Sequence, residues 1–398
     1  MREGWVKTTL GELAEITTGS RAKGGAIASG IPSIGGEQIA EDRSIKFNKM
    51  KFIPEEHFES MRTGQLKFGD SLLVKDGATT GKVGYWGYSI PAAVNEHVFI
   101  LRAKPDKAEP YFINLLISHQ SFKEEIESRT RGIIGGITRD IEKIICFVPQ
   151  PREQKRIVDL ILSIDGYIEA LQEELAIIKR SRGAVLHELL TAVGDDWSET
   201  TLGEIATWGS GGTPKADNPD YYGGEIPWCV IGDLTESEVW ETEKTITHLG
   251  LSNSSAKVID PGSVLLAMYG ASIGRTGISA IPMATNQAIA FASCDSNLAL
   301  PKYLLAYLQT QKTKFVDMGQ GAAQPNISQT IIKSWPLELP PIPYQREIVT
   351  TLDVFDTTLS TLQSSIHSAK LLRSSLLSDL LSGEHEIPAS YDKVIGAA

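Results

Sequence analysis

The chain carries one module twice, and any fold proposed for it must satisfy both copies. Trp5, Leu10, Gly11, Glu12 and Ala14 return 192 positions later as Trp197, Leu202, Gly203, Glu204 and Ala206. Gly69, Gly77, Gly81 and Gly84 return as Gly262, Gly270, Gly274 and Gly277, and Asn95 and Pro110 as Asn286 and Pro301. The closing segment repeats without a gap. Gln154, Asp165, Leu171, Gln172, Lys179, Arg182, Leu186, Leu189 and Leu190 become Gln345, Asp356, Leu362, Gln363, Lys370, Arg373, Leu377, Leu380 and Leu381. A period this long makes each copy a structural unit with its own core.

Each copy divides into a globular part and a long helix. In the globular parts, short β-rich runs such as Ser71–Val74, His97–Leu101 and Ser263–Met268 alternate with glycine-rich turns. Short helices are expected after each proline, over Pro110–His119 and Pro301–Gln309, which makes the class α+β. The boundaries are placed at 1–150 for the first globular domain, 151–192 for the first helix, 193–342 for the second domain, 343–383 for the second helix and 384–398 for a tail.

In the first helix, Ile157, Ile161, Ile164, Ile168, Leu171, Leu175, Ile178, Val185 and Leu189 recur in steps of four and three, with Arg182 interrupting the seam. In the second, Ile348, Leu352, Phe355, Leu359, Leu362, Ile366, Ala369, Leu376 and Leu380 do the same around Arg373. Such heptads require a partner helix, and the other copy is the simplest one. A pseudo-twofold repeat makes the pairing an antiparallel intramolecular coiled coil. With midpoints aligned, Arg182 falls level with Asp356 and Arg373 with Asp165. Helices of this length span about 55 Å, at about 1.5 Å per residue.

Composition adds limits. The net charge of −11 at face value opposes nucleic-acid binding, so tight binding to DNA requires local basic patches or a partner that supplies positive charge. The net charge is unevenly spread: residues 1–150 carry 20 Lys and Arg against 19 Asp and Glu, whereas residues 197–342 carry 8 against 14. Cys146, Cys229 and Cys294 form no C-x-x-C pair, arguing against zinc or a disulfide framework and for the reducing cytoplasm. The amino terminus has no signal-like apolar core, and no apolar run approaches the roughly 20 residues of a membrane span. The seven histidines show no metal-ligand spacing.

Two motifs imitate catalytic ones. Asp76–Gly84 (DGATTGKVG) resembles a phosphate-binding P-loop but has three residues instead of four before Gly-Lys, and Val83 where Ser or Thr would hold magnesium. Its second copy has Arg275 after the glycine, so a tight turn presenting a basic residue is the better reading. Asn218–Tyr221 (NPDY) imitates the tetrapeptide of amino-methyltransferases, but Asp220 stands where proline belongs and no glycine-rich cofactor fingerprint precedes it. A loop turn is expected there.

The order of globular domain, long helix, globular domain and long helix, with GSGGTPKADNPDYYGGEIPW (Gly209–Trp228), the NIS run Asn326–Ser328 and PPIPYQREIV leading into the second helix, resembles the specificity subunit of type I restriction-modification systems along essentially the whole chain. The first copy reads GITRDIEK (Gly136–Lys143) where the second reads QPNISQTI (Gln324–Ile331), so the NIS feature is not repeated. The resemblance implies two target recognition domains, each reading half of a bipartite site in double-stranded DNA, with the helices setting the spacing. It implies no catalysis by this chain. Two modification subunits, adenine methyltransferases using S-adenosylmethionine, would dock on it, and restriction subunits would join them.

Base reading needs hydrogen-bonding side chains on exposed loops, with basic residues holding phosphates. Arg21, Lys23, Lys75, Thr79, Thr80, Lys82, Arg129, Arg131 and Arg139 are the candidates in the first domain. In the second they are Thr213, Lys215, Tyr269, Ser272, Arg275, Gln320, Gln324 and Asn326. A duplicated coiled-coil scaffold that binds only protein is the competing class.

Overall fold

A computed structural model describes residues 4–129, 136–319, 326–388 and 390–394. The chain forms two compact units, one of residues 1–171 with 365–398 and the other of 172–364. Each unit therefore holds one globular module, half of one long helix and the opposite half of the other.

In the first unit an antiparallel sheet has the strand order Ala14–Thr18, Val98–Ala103, Asp70–Val74, Val83–Trp86. A smaller sheet places Ile31–Ile34 between Lys51–Ile53 and Ala93–Val94, the last pairing parallel. Asp70–Val74 is buried throughout because its alternate side chains serve two cores. Leu73 joins Phe99, Leu101 and the helix Pro110–Ser118, while Leu72 and Val74 join Ile34, Trp86, Val98 and Ile100 on the other face.

The second unit repeats this plan with extra strands. Ala206–Ser210, Ile289–Cys294, Val264–Ala267, Thr276–Ser279 and Glu238–Val239 form its main sheet. Val264 and Leu266 face the helix Pro301–Gly319, and Leu265 and Ala267 face the other way. That helix runs ten residues beyond the expected end at Gln309, because Phe315 remains fully buried in the core. In the first unit the corresponding stretch breaks at His119 into two helices, Pro110–Ser118 and Gln120–Arg129.

The repeated residues largely build the frame. Glu12 reaches back to the Thr9 N–H at 2.9 Å and accepts from the Thr8 hydroxyl at 2.8 Å; Glu204 does the same with Thr201 and Thr200 at the same distances. These contacts hold both glutamates below the usual carboxylate range, the threonine hydroxyl contributing most. Gly11 and Gly203 recur because a Cβ there would lie 3.1 Å from Glu142 and 2.9 Å from the Lys333 carbonyl. Gln154 and Gln345, both fully buried, clamp the first turn of each long helix. Gln154 accepts from Glu109 N at 2.9 Å and donates to Pro149 O at 2.9 Å; Gln345 accepts from Leu300 N at 2.9 Å and donates to Leu298 O and Pro340 O, each at 2.8 Å.

The long helices span Pro151–Thr191 and Ile342–Ser382, continuing through Gly166 and Gly183. Within the first unit Ile157 and Ile161 share a core with Leu377 and Leu380, and Asp165 meets Arg373, so the helix segments run antiparallel. In the second unit Leu186 packs with Ile348 and Leu352 while Arg182 meets Asp356, again antiparallel. Of the seam positions, Ile161, Ile168, Leu171, Leu352, Leu362 and Ile366 are buried, and Ile164, Leu175, Ile178, Arg182, Phe355, Leu359 and Arg373 are half-buried. Both arginines are forked onto their carboxylates: Arg182 Nε and Nη2 lie 2.6 and 3.2 Å from Asp356, and Arg373 Nη2 lies 2.8 Å from Asp165, with Nε on its other oxygen.

The segment after the second helix folds back on the first unit. Ile387 is buried in its core, and Asp392 accepts from Arg156 Nε at 2.6 Å and Arg152 Nη2 at 2.8 Å. These arginines hold the Asp392 carboxyl down at about 2.

Candidate nucleic-acid interface

In each unit a set of turns is tied together by backbone contacts. In the first, Ile137 N donates to Lys75 O at 2.6 Å, Lys75 N to His97 O at 2.9 Å and Asn95 N to Ile34 O at 3.1 Å. The turn after Ala14–Thr18 is pressed in so closely that a Cβ on Gly19 would lie 1.7 Å from Val94 O. The second unit repeats the construction. Ile327 N donates to Met268 O at 3.0 Å, Met268 N to Ala288 O at 2.9 Å and Asn286 N to Cys229 O at 3.0 Å, and a Cβ on Gly211 would lie 1.8 Å from Thr285 O.

The glycine-rich turns match in detail. Gly77 and Gly81 have φ of 90° and 85°, and Gly270 and Gly274 have 69° and 79°, left-handed conformations that account for the repeated glycines. A strand follows each turn, Val83–Trp86 and Thr276–Ser279, where a P-loop would open a helix. In the NPDY run, Asn218 Oδ1 accepts from Asp220 N at 3.1 Å and caps a short 3-10 turn.

Most nominated residues fall on these turns. Arg21 and Lys23 are exposed beyond Gly19; Lys75 is half-buried, its Nζ 5.5 Å above the Phe99 ring. Thr79 is half-buried where a Cβ on Gly36 would strike its hydroxyl, and Thr80 donates to Gly77 O at 2.7 Å, closing the turn. Lys82 pairs with Glu41 at 2.6 Å, which diminishes its value as a phosphate contact. Arg139 is exposed and opens a short 3-10 helix two residues beyond Ile137. Arg129 ends the helix Gln120–Arg129, and Arg131 lies outside the described residues.

In the second unit Thr213 and Lys215 are exposed past Gly211, and Thr213 bonds Gln287. Tyr269 is exposed and bridged through its backbone to Asn326, also exposed, while Ser272 and Arg275 line the same turn half-buried. Gln320 and Gln324 lie outside the described residues.

Two features escaped the sequence reading. His97 stands beside Lys75 with Nδ1 on Asp76 and Nε2 3.4 Å from Glu96, so the first interface carries two carboxylates among its cations. The second concerns the NIS run. Ile327 and Ser328 have working counterparts in Ile137 and Thr138: both isoleucines are buried, and Thr138 and Ser328 each cap the following turn, accepting from Asp140 N and Ile331 N at 3.3 Å. The difference between copies narrows to Gly136 against Asn326. A GITR run against an NIS run conceals this, since Thr and Ser cap equally well.

Among the described residues no group of three or more His, Cys, Asp or Glu is placed to hold a metal ion, and no helix is long and apolar enough to cross a membrane.

The geometry defines a class: twin α+β modules presenting similarly built but differently furnished turns, each carried on an antiparallel helix pair. The family model for the type I restriction modification DNA specificity domain matches residues 2–180 and again 194–369, and the chain belongs to that family. It is similar to the putative type I restriction enzyme MjaX specificity subunit of Methanocaldococcus jannaschii, at 20% identity over 96% of both chains. Among solved structures, one described as showing complex assembly and conformational transition of the type I R-M system matches with a TM-score of 0.65 and 17% identity, covering 96% of this chain and 98% of that one. The specificity subunit of M. genitalium matches with a TM-score of 0.57 and 16% identity over 94% and 96%. The chain is a DNA sequence-specificity subunit of a type I restriction-modification system, the component that recognises rather than catalyses.

Proposed function

We propose that each unit reads one half of a bipartite DNA target through its tied turns, the first through Arg21, Lys23, Lys75 and the 76–82 turn, the second through Thr213, Lys215, Tyr269, Arg275 and Asn326. The carrying observation is the same backbone scaffold built twice with unlike glycine-rich turns: Thr79, Thr80 and Lys82 in one, Tyr269, Ser272 and Arg275 in the other. A shared frame with different side chains suits two unlike half-sites. Two modification subunits would dock on the chain and supply adenine methylation from S-adenosylmethionine, and restriction subunits would complete the assembly; the net charge of −11 favours DNA binding assisted by such partners.

Methylome sequencing of cells expressing this chain with its modification subunit tests the reading. A split motif with a fixed spacer is expected. Methylation at an unsplit motif would overturn the bipartite reading, and no methylation beside a competent modification subunit would favour the protein-only scaffold.

A further inference from the structure

In each unit the seam ion pair of the helices continues into the globular module. Asp165, held by Arg373 of the opposing helix, also lies 3.9 Å from Arg43 Nη2. Arg43 Nη1 in turn donates to Asn114 Oδ1 at 3.3 Å and Ser118 Oγ at 3.4 Å, and Asn114, fully buried, donates to Gly84 O at 2.8 Å. The chain of contacts thus runs from the far helix, through the near one, into the helix Pro110–Ser118 and the edge strand of the sheet.

The second unit makes the equivalent connection with different chemistry. Arg182, forked onto Asp356, donates at 3.5 Å to Gln309 Oε1, and Gln309 Nε2 donates to Glu236 O at 2.7 Å. Glu236 then accepts from Thr276 Oγ1 at 2.7 Å and pairs with Lys312 at 2.9 Å.

An independent observation falls on the same loops. Of three non-glycine residues with positive φ among those described, two are Arg43 at 73° and Glu236 at 62°, each bonded through its backbone to the corresponding strand, Val83–Trp86 in the first unit and Thr276–Ser279 in the second. Side chains rarely occupy this region, and glycine would relax it. Both copies hold a strained residue where its side chain or carbonyl completes the link.

We infer that Arg43 and Gln309 are positioning residues that fix the angle at which each recognition module meets its helix pair, and that they thereby set the spacing accepted between half-sites. This rests on the bipartite reading proposed above. One added base pair rotates a half-site by about 34°, given about 10.5 base pairs per turn, so a module held at one angle rejects neighbouring spacings. A released module tolerates them.

The test uses the full chain with its modification subunits and a plasmid library in which the two half-sites are separated by every spacer within three base pairs of the natural one. Wild type should methylate one spacing. Arg43→Ala and Gln309→Ala should each reduce discrimination against the adjacent spacings by about tenfold, the size of a modest coupling between two sites, while the bases read in each half stay unchanged. Arg43→Lys, which retains charge without the fork, should restore discrimination only partly. If both alanine variants retain wild-type spacing preference, or lose methylation equally at all spacings with an unchanged melting temperature, the inference is overturned. Should Arg43→Ala fail to fold, the neutral Gln309→Ala decides the matter alone. A wild type that methylates no split motif instead refutes the bipartite reading.

Discussion

Replacing Gln154 by Leu retains the side chain's bulk and deletes its hydrogen bonds. The amide is fully buried and serves three backbone groups: Glu109 N–H at 2.9 Å, Pro149 C=O at 2.9 Å and Lys107 C=O at 3.3 Å. A buried polar group left without its partner costs about 1–3 kcal/mol. Counting the two short bonds in full and the long one slightly, the substitution should cost about 3 kcal/mol, or about a hundredfold in the unfolding equilibrium. Because Gln154 lies in the unit of residues 1–171 and 365–398, the loss should be confined there. Peptide-resolved hydrogen exchange reads this directly: protection of Asp70–Val74 and Val98–Ala103 should fall by about two orders of magnitude, while Val264–Ala267 is unchanged. Gln345→Leu should give the mirror result. A loss below about 0.5 kcal/mol, the size of an ordinary surface substitution, would refute the clamp, and equal loss in both units would refute their independence.

Other consequences follow from individual contacts. Gly19→Ala would place a Cβ 1.7 Å from Val94 O and should displace the turn bearing Arg21 and Lys23, abolishing reading of the first half-site while circular dichroism stays near wild type. A double-mutant cycle on Arg182 and Asp356 should return no more than about 1 kcal/mol and shrink in salt, because the carboxylate is half exposed. Asp392, whose folded pKa is depressed to about 2, contributes stability that is complete above the ordinary carboxylate value near 4 and is lost as pH falls toward 2; Asp392→Asn should remove that part of the acid transition, measured as melting temperature against pH. Burial pushes the thiols of Cys146, Cys229 and Cys294 up to about 11, 12 and 12, so a thiol-specific reagent at pH 8 should label the native protein slowly and all three sites after denaturation.

The repeat and the seam were legible because they rest on periodicity, which survives without a partner in view. The seam arginines could be paired with Asp356 and Asp165 from sequence because aligning the helix midpoints sets a register and the twofold repeat makes one pairing imply the other. The end of the helix Pro301–Gly319 was not legible: what extends it is the burial of Phe315 against a core that no local pattern announces. At the candidate interface, the repeated glycines marked the turns but not the roles of the side chains within them. Thr80 and Lys82 look as available as Lys75 in the sequence, yet one closes its own turn and the other is taken by Glu41, 41 positions earlier. The link from Arg43 to Asp165 joins residues 122 positions apart and carries no sequence signature.

Whether two modules of one chain read two halves of one target is decided by exchanging residues 1–150 for the corresponding domain of another specificity subunit and sequencing the methylome with the same modification subunits. One half of the methylated motif should change, with the other half and the spacer retained. A change in both halves, or in neither, would contradict the two-module reading.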